Sequence, residues 1–167
     1  MIRERLFGRS ARLRISRRTW RRLVQGLGER AGGRREAGAF LLGNRESGPR
    51  TVRRVVFYDD LDPNSLTGGI SFGFEGFPRL WELCDRERLH VIGDVHTHFN
   101  DHVAQSHTDA TNPMIARKGH VALIVPDLAA RSLRAKEVGV HRYLGDEGWS
   151  SSMGKDAKAS LYIGWWA

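Results

Sequence analysis

His96 and His98 flank one residue, Ser106 follows after a gap of seven, and Asp109 follows after two more. This order constrains the chain more than any other feature, because two short elements of different period must aim polar side chains at one place. Val91–His98 (VIGDVHTH) reads as a buried strand. Residues two apart in a strand share a face, so the two imidazoles lie side by side and Thr97 points the other way. Ser106-His107-Thr108-Asp109 reads as a helix start, with Ser106 as N-cap and an acid in the first turn. Residues three apart share a helix face, so Ser106 and Asp109 can face one cavity.

Two neutral imidazoles and one carboxylate are a catalytic zinc set, with three protein ligands at about 2.0–2.2 Å and the fourth tetrahedral position left for water. A cysteine-based structural zinc site is excluded, because Cys84 is the one cysteine in the sequence. At this chain's own usage of His, Ser and Asp, chance would produce the four-residue pattern on the order of one time in a thousand. The other reading, two core histidines and an ordinary cap, suits a bare His-x-His far better than the whole pattern.

Hydrolysis by a metal-bound water needs a carboxylate to take the proton and pass it on. Glu36 is the best candidate. It opens a run of small and apolar residues, Glu36 to Gly43, that reads as a buried strand, and a charge at the mouth of such a strand is costly without a partner. Position alone leaves a second reading equally open, in which Glu36 ends the surface run Arg34-Arg35-Glu36.

These residues together resemble the JAMM (JAB/MPN+) family of zinc peptidases, whose motif is a strand-borne Glu, then His-x-His, seven residues, Ser, two residues and Asp. The resemblance extends from about Arg12 to Val140, and only the motif segments are specific. It implies an α/β fold: one JAB/MPN-like, cytidine-deaminase-like domain over 1–167, a mixed sheet flanked by helices, with a basic segment at about 1–11 that can be flexible. It also implies roles. His96, His98 and Asp109 would hold one Zn2+, Glu36 would act as general acid and base, and Ser106 would donate to the oxyanion. The expected substrate is the glycine-ended tail of a ubiquitin-like protein or its conjugate. Compact relatives belong to bacterial ubiquitin-like conjugation pathways, some antiviral, so activating and conjugating enzymes are expected partners. Two departures stand out: Phe99 where many relatives carry Pro, and Thr97 where Ser is frequent. Phe99 bears on substrate contacts, being at the cleft edge.

Other readings stand beside this one: a peptidase acting on a sulfur-carrier protein tail, a metal-free scaffold of the same fold, and a basic nucleic-acid-binding module. The last rests on charge. Residues 1–36 hold twelve Arg against Glu4, Glu29 and Glu36, a local balance of +9 within a chain of net +8, so the rest is nearly neutral. Ser16 reads as an N-cap to a helix at about 17–28, with Trp20, Leu23, Val24 and Leu27 on one face and Arg17, Arg18, Arg21 and Arg22 on the other. The arginines fit a solvated face, an acidic partner surface or an organelle presequence, and no base-reading or aromatic stacking motif accompanies them.

No repeat, transmembrane stretch or secretory signal is visible, and a lone cysteine forms no internal disulfide, so a cytoplasmic protein with no membrane partner is expected. His102 and His107 sit near enough to the motif to compete as ligands, whereas His90, His120 and His141 read as structural or surface residues. Further elements read as a turn at 44–49, a strand Thr51–Tyr58, a helix from Pro78 to about Arg88 with Leu80, Leu83 and Cys84 inward, strands Val121–Val125 and Val138–Leu144, and a final Leu161–Trp166. Leu128–Val138 and Asp146–Ala159 read as tail-holding or modifier-holding segments, Gly68-Gly69 as a flexible loop, and Trp165-Trp166 as an edge strand closing the core, with a partner-docking tail as the second reading.

Overall fold

The structure, a computed structural model, describes residues 12–44, 50–67 and 69–165. The expected flexible segment at about 1–11, most of the turn at 44–49, Gly68 and Trp166 lie outside these residues. In chain order the elements are strand β1 (Leu13–Ser16), helix α1 (Arg17–Ala31), strands β2 (Gly38–Gly43) and β3 (Arg50–Phe57), helices α2 (Tyr58–Leu61) and α3 (Gly76–Glu87), and strand β4 (His90–Thr97). Helix α4 (His107–Thr111), strands β5 (Val121–Val125), β6 (Gly139–Tyr143) and β7 (Trp149–Ser152), helix α5 (Ala157–Ser160) and strand β8 (Leu161–Gly164) follow.

Among the described residues, eight strands form one mixed sheet in the order β7-β6-β5-β4-β2-β3-β1-β8. The β4–β5, β1–β3 and β1–β8 pairs are parallel and the other pairs antiparallel. Helix α1 starts as the sequence predicts, with the Ser16 side chain accepting from the Thr19 amide, and it ends where Gly32 turns left-handed at φ 54°. Trp20, Leu23, Val24 and Leu27 are buried against Leu41, Val95, Leu123 and Val140 on one sheet face. On the other face α3 buries Leu80, Leu83 and Cys84 against Phe40, Leu42, Tyr58 and Val91.

Side chains alternate across the pleat, so a register shift decides which residues meet which layer. Leu41 pairs with Gly93 but Leu42 with Val91, and the skipped Ile92 joins Val95 on the α1 side. Phe40 pairs with Asp94 and Gly38 with His96, which sets Asp94 and His96 on the α3 side. The strand therefore delivers its histidine to the face opposite α1.

Three expectations shift. The run from Glu36 becomes a strand only at Gly38, so Glu36 lies on the connection before β2. The segment Asp146–Ala159 is not one loop, since it contains β7 and the start of α5. Strand β8 is an edge strand as expected, but Trp165 does not help to close the core: it is 75% exposed, and the Arg17 guanidinium lies 5.1 Å from its ring centre. Among the described residues no helix is long and apolar enough to cross a membrane.

Candidate metal centre

His96 is near the end of β4 and His98 just past it, and both Nε2 atoms point to one spot, 3.2 Å apart. Asp109 in the first turn of α4 completes the group, with Oδ1 3.4 Å from His96 Nε2 and Oδ2 3.3 Å from His98 Nε2. Among the described residues these three form the one group of His, Cys, Asp or Glu side chains whose ligand atoms converge for a metal. Ligands at about 2.0–2.2 Å around a tetrahedral zinc stand roughly 3.3–3.6 Å from one another; the imidazole nitrogens meet different oxygens of Asp109, and one ligand atom from each residue lies within 4.8 Å of the others, close enough for one ion to draw them together. The side chains are 12%, 13% and 22% exposed, which leaves one open side for a water or substrate.

Hydrogen bonds outside the group fix its donors. The Nδ1–H of His98 donates to the His102 carbonyl at 2.9 Å, which leaves the Nε2 lone pair for the metal. Ser106 caps α4 in a reciprocal box: its Oγ accepts from the Asp109 amide at 3.1 Å, and its own amide donates to Asp109 Oδ2 at 2.8 Å. Burial alone would raise the Asp109 pKa, but bonds from His96, His98 and Ser106 outweigh it and hold the carboxyl well below the usual carboxylate range. The hydrogen bond to Asp109 raises the pKa of His98, with burial opposing.

Glu36 is half-buried and close enough to the group to feel its charges. Burial raises its pKa, His96 and His98 pull it down, and Asp109 pushes it up. Its place is set from behind by Thr97, the residue between the two histidines. Thr97 is fully buried; its Oγ1 accepts from the Ala37 amide at 2.9 Å and its amide donates to the Ala37 carbonyl at 2.9 Å. The motif's non-ligand residue thus anchors the backbone next to Glu36.

Several supporting residues escape sequence reasoning. His141, fully buried on β6, donates from Nε2 to the Val103 carbonyl at 2.8 Å and accepts at Nδ1 from Ser151 Oγ at 2.8 Å. Burial lowers its pKa, which keeps this neutral pattern, and it pins the loop between His98 and Ser106. A side chain at Gly139 would put its Cβ 2.0 Å from the same Val103 carbonyl, so only glycine allows that approach. Two residues behind His96, Asp94 accepts from Tyr58 Oη at 3.2 Å and from His120 Nε2 at 2.5 Å, all three buried. Asp127, Leu128 and Ala129 form a left-handed turn, φ 51–56°, that donates from the Leu128 amide to the His98 carbonyl at 2.9 Å. Gly69 lies beside Glu36, its would-be Cβ 3.9 Å from Oε2, so this glycine borders the site. The only sequence hint was residue type, a buried-strand Asp and glycines at element ends.

His102 is exposed and contributes its backbone carbonyl, while its ring pairs with Asp101 at 3.0 Å; His107 is the exposed first residue of α4. Neither joins the ligand group. His120 and His141 are buried structural residues and His90 is half-buried at the start of β4.

No protein-family profile matches the chain. Solved structures do. A JAB1/MPN domain protein from Archaeoglobus fulgidus superposes with a TM-score of 0.51 over 91% of this chain and 97% of its own, at 15% identity. The fold is that of the JAB1/MPN domain. A solution structure from Desulfitobacterium hafniense matches with a TM-score of 0.58 over 90% and 92% at 16% identity. One from Salinibacter ruber matches with 0.55 over 86% and 92%, also at 16%. At such identities the JAB1/MPN likeness speaks for the backbone, and the chemistry rests on the residues above.

Proposed function

We propose that this JAB1/MPN chain is a zinc-dependent peptidase of the JAMM type that cuts after the glycine-ended tail of a ubiquitin-like protein. The observation that carries the reading is the trio of ligand-atom separations at 3.2, 3.3 and 3.4 Å, with a half-buried carboxyl beside it. When bound, zinc would supply a Lewis acid for the scissile carbonyl and make a water acidic near neutral pH.

The chain's own residues do the rest. Glu36, whose burial favours the protonated form, takes a proton from the attacking water and returns it to the departing amine. Ser106 uses its oxygen lone pair in the helix cap, so its hydroxyl proton is free to donate to the carbonyl oxygen as negative charge develops there. Asp109, held ionised, balances the cation, and Phe99, 54% exposed next to His98, offers an apolar wall to the incoming tail. The substrate class, a bacterial conjugation pathway and its activating and conjugating enzymes as partners come from the motif's resemblance to the JAMM family.

The test is a zinc-loaded cleavage assay on a ubiquitin-like protein ending in a glycine–aminocoumarin amide and on a lysine isopeptide conjugate. Cleavage should vanish with chelator and return with zinc, and Glu36→Gln should keep zinc while losing about a hundredfold or more of the rate. Cleavage indifferent to both treatments overturns the proposal; a preference for short tail adducts over the isopeptide would redirect it to a sulfur-carrier substrate.

A further inference from the structure

On the α1 side of the sheet, opposite the face that carries His96, lies a cavity of about 900 Å³. Arg12, Arg17, Arg21, Arg131, Arg134 and Lys158 line it, with no acidic side chain among the described lining residues. Glu137 answers part of this charge, pairing with Arg131 at 2.5 Å and Arg134 at 3.5 Å. The other four cations have no carboxylate partner among the described residues. Arg17 lies on Trp165, and Arg12 donates to the Lys158 carbonyl while its own Nε is buried without a partner. Cations lining one cavity repel one another where they approach within the screening length of about 8 Å, and an anionic ligand relieves any such repulsion.

The cavity floor is apolar: Val24, Ala129, Leu133 and Leu161 are buried there. Trp20 holds the floor in place by donating from Nε1 to the Leu133 carbonyl at 2.7 Å. A ligand must therefore match both a cationic rim and an aliphatic base. A nucleic-acid backbone supplies charge without aliphatic groups, and the two rings that line the cavity, Trp20 and Tyr162, are taken. Trp20 is 5% exposed, and the guanidinium groups of Arg12 and Arg14 lie 5.5 and 5.3 Å from the Tyr162 ring centre. The chain's own first residues are unsuited, with Arg3, Arg5 and Arg9 against Glu4.

We infer that this cavity docks a protein partner through a segment whose carboxylate side chains flank aliphatic ones. Such a segment would set its acids against Arg21 and Lys158 and its apolar groups on Leu133 and Leu161. This site is separate from the metal centre, so its test does not depend on cleavage.

Fluorescence anisotropy at physiological salt, with a labelled peptide alternating Glu and Leu, is the measurement. The full chain should bind it, and a peptide alternating Glu and Ser, or duplex DNA, should bind at least about tenfold more weakly. Arg21→Glu with Lys158→Glu should cost about tenfold or more, whereas Arg18→Glu with Arg22→Glu, the same charge change on exposed positions outside the cavity, should cost under about threefold. Zinc content and melting temperature report that the variants are folded, and Arg21→Gln with Lys158→Gln serves if charge reversal unfolds the chain. Absence of binding, equal losses in both double variants, or equal binding of the Glu–Ser peptide or the DNA overturns the inference. So does a dimer of this chain, seen by light scattering, that Arg21→Glu with Lys158→Glu dissociates.

Discussion

Thr97→Val separates the anchoring of Glu36 from metal binding. Valine matches threonine in shape, so the fully buried site keeps its packing and loses only the Oγ1 that accepts from the Ala37 amide at 2.9 Å. Ala37 is itself fully buried, so no water replaces the lost acceptor. A stranded buried amide costs about 1–3 kcal/mol. For a chain of this size that lowers the melting temperature by roughly 2–4 °C per kcal/mol, and thus by about 4–8 °C at the middle of the range. The ligand side chains point to the other face, so zinc affinity should hold. Turnover should fall about ten- to a hundredfold, because Glu36 immediately precedes Ala37 in the chain and small misplacements of a reacting group are expensive. Thr97→Ser keeps the hydroxyl and should keep turnover, losing about 1 kcal/mol for the buried methyl. Scanning calorimetry, zinc titration and the cleavage assay read the three quantities. If Thr97→Val matches the parent in melting and rate, the hydroxyl does not anchor Glu36.

Ser106→Ala should slow turnover roughly a hundredfold and lower stability by about 0.5–2 kcal/mol through the lost cap. Zinc should stay bound, because the backbone amide that holds Asp109 Oδ2 remains; an unchanged rate removes Ser106 from the chemistry. Zinc affinity should weaken with acid. The folded pKa of His98 is raised above 6.5, so its proton competes with the metal from above that pH downward, at about tenfold per pH unit once His98 is protonated. Calorimetric titrations across about pH 5–8 measure this, and a flat profile contradicts it.

Much of the centre was legible because it is local. His96, His98, Ser106 and Asp109 lie on two consecutive elements, and their spacing alone states which side chains meet. The buried face of α1 was legible for the same reason, as were Val121–Val125 and the inward Leu80, Leu83 and Cys84. What the sequence hid depends on pairing across distance. No strand was read at Leu13–Ser16, yet Leu13 and Ile15 are fully buried because β3 and β8 flank β1. Asp94 and His120 meet because β4 runs beside β5, and no spacing rule joins residues so far apart. The left-handed turn at Asp127–Ala129 uses residues that disfavour that backbone, so no turn signal marked it. Glu36 stops short of the strand because Ala37 pairs with Thr97 through a side chain, which a periodicity argument cannot see.

The stretch from His98 to Asp109 is tied down at the His102 carbonyl, at the Val103 carbonyl and at the Ser106 box. Ordering a residue's backbone costs about 1–2 kcal/mol, and here folding has already ordered the loop that carries the aspartate. Toward an ion the proposed centre would therefore act as a rigid macrocycle does, with donors set before capture and little chain motion on uptake or release.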